Sequence, residues 1–383
     1  MQSWQLPEYI ADILPNNARH LESAKERLLA IFRSHGYELV HPPLMEYSDS
    51  LLTHIDSGLS LKTIRFVDQI SGRQLGIRAD ITPQVARIDA HLLAGNNGIN
   101  RLCYAGSVLH ARPDGFLTTR EPFQCGAELY GYQGIEADIE LIGLMLESMS
   151  IGHIGTVLLS LGHIGVFRAL ADAAGLAERQ ARELLALMQD KDTDAVKELL
   201  EHLKVDMMWR KALSALCGLY GGREVLNEAR RILPELGAVS TALDELEAVC
   251  RAFPNREIHI DLSELRVDNY HTGLLYAVYG SDCHDAVARG GRYDGLGGYF
   301  GRSRPATGFS FDLRTFLRRL PEPEKREWIW VDYRDAANAS EAIERLRADG
   351  ASVVIDYGVQ TNHSGCVAGR LKKDADGIWL VEK

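Results

Sequence analysis

The side chains of this 383-residue chain that could bind or transform a small molecule lie far apart in sequence. They are Asp80 and Thr82 in IRADITP, Gln124 and Glu128 in FQCGAELYG, Arg266, Tyr270 and His271 in LRVDNYHTG, and Tyr293 in RGGRYDGL. Carboxylates accept hydrogen bonds from cationic donors, whereas hydroxyl, amide, phenol and imidazole groups can donate as well as accept. Taken singly, none decides a function: Tyr270 and Tyr293 read equally as core aromatics with satisfied hydroxyls, and Glu128 as the outward face of a strand. RGGRYDGLGG lacks the glycine spacing of a dinucleotide-binding turn, and no GxxxxGK[ST] phosphate loop occurs. Cys103, Cys125, Cys217, Cys250, Cys283 and Cys366 include no CxxC pair and have no closely spaced histidine, so they read as small reduced hydrophobes and no metal is expected.

The elements that must position these residues follow from periodicity. Leu21, Ala24, Leu28, Ile31 and Phe32 recur at helical spacing, which predicts a helix over 17–36 that stops at Gly36, followed by a strand over 37–40 that runs into Pro42 and Pro43. Alternation over 64–70 and 74–78 about Ser71-Gly72 predicts a hairpin, and strands over 101–109 and 121–130 predict a longer one with a helix over 136–148 behind it. From about 166 to 254 the pattern is Ala- and Leu-rich and helical, with no convincing strand. Strands resume over 257–262 and 273–279, and Gly308 to Leu320 reads as a closing helix. After Pro321-Glu322-Pro323, the segment 326–383 reads as a small α/β module with strands over 328–333 and 352–357 around a helix over 340–348, then strands over 366–371 and 377–381.

Composition excludes some functions. With 46% hydrophobic residues the chain can bury a large core. Its net charge of −11 disfavours a polyanionic partner. No stretch approaches the roughly 20 apolar residues of a membrane helix, and the N-terminus has neither a basic start nor an apolar run, so a cytoplasmic protein is expected.

The order of the stretches is more informative than any one of them. DILP, YELVHPPLMEY, IRADITPQVAR, the hairpin ending FQCGAELYG, LRVDNYHTG, RGGRYDGL and ATGFSFDLR together resemble the class II histidyl-tRNA synthetase core over about 7–320, with the helical insertion where such synthetases carry theirs. The resemblance implies an α+β fold: an antiparallel sheet flanked by helices, interrupted by the insertion and followed by the small module. It also implies an amino-acid pocket in which Asp80 and Thr82 grip the ammonium group, Gln124, Glu128, Tyr270 and Tyr293 read the imidazole, and Arg266 contacts the carboxylate. His271 replaces a family tyrosine, and the VDN after Arg266 departs from the pattern.

The positions that would hold ATP depart selectively. His110 stands where the family's hairpin arginine is expected, Arg112 at that motif's glutamate, Pro122 at the adenine-stacking phenylalanine, Asp312 at a small residue and Thr315 at the phosphate-binding arginine. Losing one preorganised charge-stabilising group costs on the order of 10²–10³ in rate, and a carboxylate beside a triphosphate repels it. The segment 326–383 is shorter than a synthetase anticodon-binding domain, and its eight Lys and Arg against ten Asp and Glu leave a net of −2, which offers little to tRNA.

The chain therefore resembles the regulatory subunits of ATP phosphoribosyltransferase. That resemblance implies no catalytic residue and no cofactor of its own, a hetero-oligomer with the short catalytic subunit that joins ATP to phosphoribosyl pyrophosphate, a homodimer interface built on YELVHPPLMEY, histidine as feedback effector, and neither tRNA nor membrane as partner. The competing readings are an active synthetase-like enzyme and a scaffold that binds no ligand.

Overall fold

The computed structural model describes residues 4–52, 57–113, 115, 118–152, 154–263, 270–281, 283, 285–321, 327–359 and 366–382. The chain divides into two compact units, one of Met1–Ile13 with Leu21–Leu320 and one of Leu14–His20 with Pro321–Lys383.

In chain order the strands are β1 (Glu38–Leu39), β2 (Met45–Tyr47), β3 (Arg65–Val67), β4 (Gln74–Ile77), β5 (Asn100–Ser107), β6 (Phe123–Tyr130), β7 (Val157–His163) and β8 (Tyr220–Gly221). They continue with β9 (Glu257–Asp261), β10 (Leu274–Gly280), β11 (Ala288–Arg292), β12 (Ala306–Asp312), β13 (Glu327–Asp332), β14 (Ser352–Asp356), β15 (Cys366–Lys373) and β16 (Trp379–Glu382). The principal sheet runs β1-β5-β6-β12-β11-β10-β7-β9-β8. It is antiparallel from β5 to β7, with parallel pairs β1–β5 and β7–β9 toward its edges. The hairpin β3–β4 belongs to a separate three-stranded sheet with β2.

Alternation gives the principal sheet two different faces. Cys103, Cys125, Ala127, Leu129, Phe309 and Phe311 lie on one face, in a core shared with Leu28 and Phe32 of the helix Pro15–Ser34 and with Leu141 and Met145 of the helix Ile135–Met149. Phe32 meets Phe309 edge to face at 6.1 Å. Each fully buried Leu or Met contributes about 1.5–3 kcal/mol here. The opposite face carries Leu102, Tyr104, Gln124, Gly126, Glu128, Gly308 and Ser310, and the site is built on it.

Several sequence expectations are corrected. The first helix begins at Pro15, not Asn17, and Gly36 at φ +80° follows its end, a conformation a side chain would oppose. The segment 308–320 is not one helix: Ala306–Asp312 is strand β12, and only Leu313–Phe316 is α-helical, with the Asp312 side chain accepting the Arg314 amide at its start. Strand pairing on both sides with β6 and β11 overrides the helical spacing of its apolar residues. Strands β7 and β11 were not foreseen. Within the insertion the helices from Ile164–Ala173 to Gly237–Ala252 are joined by one short strand, β8, which pairs with β9.

In the second unit β13 pairs in parallel with β14 and β15, β16 closes the sheet antiparallel, and Ile343 of the helix Ser340–Ala348 packs with Val331, Val353 and Leu371. Among the described residues no helix is long and apolar enough to cross a membrane, and no group of His, Cys, Asp and Glu is arranged to hold a metal.

Candidate functional site

Asp80 and Thr82 stand at the turn that opens the helix Thr82–Arg87. One Asp80 oxygen accepts both the Thr82 amide (2.9 Å) and the Gln124 side-chain amide (2.7 Å). Gln124 is fixed in turn, accepting the Ile81 amide at 2.8 Å and donating also to Ser310 Oγ at 3.1 Å. The turn is held from behind by Arg78, which donates to the carbonyls of Pro42 (2.8 Å) and Ser107 (2.9 Å). The far end of the helix continues as a π-helical turn, Ile88–Leu92, whose buried Asp89 accepts from Arg304 (3.0 Å) and Asn100 (2.6 Å).

Glu128, 1% exposed on β6, is the centre of a hydroxyl cluster. It accepts from Tyr104 at 3.0 Å and from Tyr293; Tyr104 also meets Thr82 Oγ at 3.1 Å, and the Tyr130 hydroxyl lies 3.3 Å from that of Tyr293. Burial pushes the Glu128 carboxyl up to about 8; Tyr293 and Tyr104 pull it down, and the nearby Asp80 charge adds to the rise. Burial, reinforced by the Glu128 charge, also holds the Tyr104 and Tyr293 hydroxyls well above their usual range. A carboxylate buried this deeply is costly without donors, and the two phenols provide them.

The space beside Glu128 depends on glycine. A Cβ added at Gly308, opposite Glu128 across β6–β12, would run into the Glu128 carboxylate and lie 2.8 Å from the Ala127 carbonyl. Gly308→Ala is therefore expected to lower unfolding stability by about 1–3 kcal/mol in urea titrations. Gly95→Ala, whose added Cβ meets nothing within 4 Å, is expected to change it by less than about 0.5 kcal/mol.

Tyr270 and His271 lie just before β10. Their rings stack at 4.7 Å, Tyr270 meets Tyr293 edge-on at 5.8 Å, and the His271 ring packs where Gly291 has no side chain. Asp80, Thr82, Glu128, Tyr270, His271 and Tyr293 thus converge on one cavity of about 140 Å³. A cavity of about 150 Å³ is enough to hold a benzene ring. Gln124 sits beside that cavity, bracing Asp80, and does not line it. Arg266 lies outside the described residues. Tyr104, Gly308 and Ser310 complete the arrangement without having been singled out in sequence; only the strand register places them opposite Gly126, Glu128 and Gly126.

Residues 9–316 match the family model of histidyl-tRNA synthetase. Over the full length of both chains the protein is 70% identical to the ATP phosphoribosyltransferase regulatory subunit of Neisseria meningitidis. It is 53% identical to that of Chromobacterium violaceum over 93% of each chain. The chain belongs to the ATP phosphoribosyltransferase regulatory subunit family. Among solved structures it is similar to an ATP phosphoribosyltransferase regulatory subunit/histidyl-tRNA synthetase from Bacillus halodurans C, with TM-score 0.82, 26% identity and coverage of 94% of this chain and 95% of that one. Histidyl-tRNA synthetase from Nostoc sp. PCC 7120, at 18% identity and TM-score 0.75 over 94% and 87%, shares the fold.

Among the positions where the resemblance leads one to expect ATP-binding groups, His110, Asp312 and Thr315 are bonded within the fold, as is the neighbouring Arg314. His110 is buried, its Nε2 3.0 Å from the Ala79 carbonyl behind the Asp80 turn. Asp312 accepts the Phe123 amide (2.9 Å), the Arg314 amide (3.0 Å) and the Thr315 hydroxyl (2.8 Å), and burial raises its pKa. Arg314 donates to the Glu121 carbonyl (2.5 Å) and carboxylate (3.2 Å) and to the Ala11 carbonyl (3.2 Å). Arg112 is exposed on the hairpin loop, and the Pro122 carbonyl accepts the Val108 amide at 3.0 Å.

Proposed function

We propose that the chain is a non-catalytic, histidine-sensing subunit that assembles in the cytoplasm with a short catalytic ATP phosphoribosyltransferase subunit and transmits feedback inhibition to it. The observation that carries this reading is the contrast between two neighbouring regions. Beside Asp80, Thr82, Glu128 and the tyrosines a polar cavity is open, whereas His110, Asp312 and Arg314 are committed to bonds within the fold. An ammonium group suits Asp80 and Thr82, and an imidazole, with one nitrogen donating and the other accepting, suits Glu128 and the phenols around it. Activation of an amino acid would need cations on the triphosphate, and at the corresponding positions the side chains are a histidine, a carboxylate and a threonine.

Histidine then acts by linkage. It shifts the mixed oligomer only as far as its affinities for the two states differ, typically by 1–3 kcal/mol, or roughly 5- to 150-fold. The homodimer belongs to the same proposal: β1 and β2 flank Pro42 and Pro43, and Leu39, Leu44 and Met45 remain exposed there. The small charge deficit of 326–383 supports a protein with no tRNA partner.

The test is reconstitution of the catalytic subunit with this chain, read by two assays. The complex is expected to be inhibited by histidine, and the chain with ATP and histidine to give no pyrophosphate exchange above background. Exchange that requires histidine would make the chain a synthetase; a complex indifferent to histidine would make it a scaffold.

A further inference from the structure

We infer that Arg289 holds the carboxylate of the bound amino acid, the role that the family resemblance gives to Arg266, which lies outside the described residues; the inference rests on the histidine-sensing reading above. Arg289 is the one Lys or Arg among the described residues that line the cavity, and its side chain makes no hydrogen bond or ion pair to another described residue. It is exposed on β11, paired with Ala277 on one side and Ser310 on the other. Both neighbours are small, so the guanidinium has open floor to move across.

Its position suits one particular chemistry. An α-amino acid carries its ammonium and carboxylate on the same carbon, so a receptor must set an anion and a cation side by side at one end and its side-chain contacts at the other. Asp80 is bonded to Gln124 at 2.7 Å, Gln124 to Ser310 at 3.1 Å, and Ser310 is the direct cross-strand partner of Arg289. Cross-strand partners have Cβ atoms roughly 5 Å apart, so Asp80 and Arg289 bracket one end. Glu128 and its partner Gly308 lie two residues further along β12 from Ser310, roughly 7 Å at strand rise, which is the direction the imidazole takes. A planar guanidinium is also the group that matches a carboxylate bidentately.

The test is calorimetric titration of the full-length chain with histidine and with histidinol, in which an alcohol replaces the carboxylate. The wild-type chain is expected to prefer histidine. Arg289→Gln is expected to weaken histidine roughly 10- to 100-fold, the worth of a hydrogen bond to a charged group, and to leave histidinol within about twofold, so that the preference disappears. Arg289→Lys is expected to restore part of it. Unchanged histidine affinity in Arg289→Gln overturns the inference, as does an equal loss for both ligands, which would mark a structural role. Tight, equal binding of both ligands by the wild-type chain overturns it while leaving histidine sensing intact. A wild-type chain that binds neither ligand overturns the sensing reading itself, and this inference with it.

Discussion

Histidine affinity is expected to stay level between about pH 6.5 and about pH 8 and to fall roughly tenfold per pH unit on either side. If histidine binds as proposed, Glu128 and the ligand imidazole share one proton in the complex. Burial pushes the Glu128 carboxyl up to about 8, outweighing the donors that surround it, while a free imidazole titrates near 6.5. Between these values the site brings one proton and the ligand none, so binding neither releases nor takes up a proton. Below about 6.5 both partners are protonated and one proton must leave, so affinity falls as pH falls. Above about 8 neither is protonated and one must be taken up, so affinity falls as pH rises. Glu128→Gln cannot ionise: it is expected to weaken binding roughly 10- to 100-fold at pH 7 through loss of the charge-assisted bond, and to abolish the alkaline fall. Calorimetric titration at several pH values measures both.

The same carboxyl makes a stability prediction of known sign. A folded pKa raised from 4.5 to about 8 means that the native chain binds a proton the unfolded chain has lost, so stability decreases as pH rises between those values. The ligand-free wild-type chain should therefore lose more stability than Glu128→Gln between pH 5 and pH 8.

Arg292→Met is expected to destabilise the chain by about 3–5 kcal/mol. Arg292 is 7% exposed and Asp138 0%; the guanidinium donates to Asp138 through Nε (3.0 Å) and Nη2, and to the carbonyls of Tyr132 (3.3 Å) and Gly134 (3.1 Å). Removing it strands a buried carboxylate. It also frees the end of β11, where the next residue is Tyr293, so histidine affinity should fall as well. The double variant Arg292→Met with Asp138→Leu, which leaves only the solvent-accessible Asp294 carboxylate that Arg292 also meets at 3.3 Å, should recover most of the lost stability. Urea titrations of the three chains measure the effect; a single variant as stable as wild type would show that the buried pair does not hold the fold together.

What the sequence made legible divides along physical lines. The hairpin of β5 and β6 and the helices Ile135–Met149 and Ser340–Ala348 were readable because alternation or helical spacing was clean and turns or glycines bounded them. Strand β12 was not, because Phe309, Leu313, Phe316, Leu317 and Leu320 form a complete helical stripe; pairing with β6 and β11 wins over that local pattern. Strand β7 is a mostly apolar run with Leu159 and Leu161 fully buried, so alternation is muted, and β11 hides behind Gly290 and Gly291. The site divides in the same way. Asp80, Glu128 and the tyrosines were legible as residue types in a recognisable order. Their relation to Tyr104, Gly308 and Ser310 was not, because that information lies in cross-strand register and not in any one stretch.

Histidine is proposed to act on the catalytic partner through this pocket. The most direct measurement is the histidine inhibition curve of the reconstituted complex, with wild-type chain and with Glu128→Gln, at pH 7. The variant is expected to support uninhibited activity like wild type and to need roughly 10- to 100-fold more histidine for half inhibition, in step with its loss of binding. Superimposable curves would contradict it and place histidine sensing elsewhere in the complex.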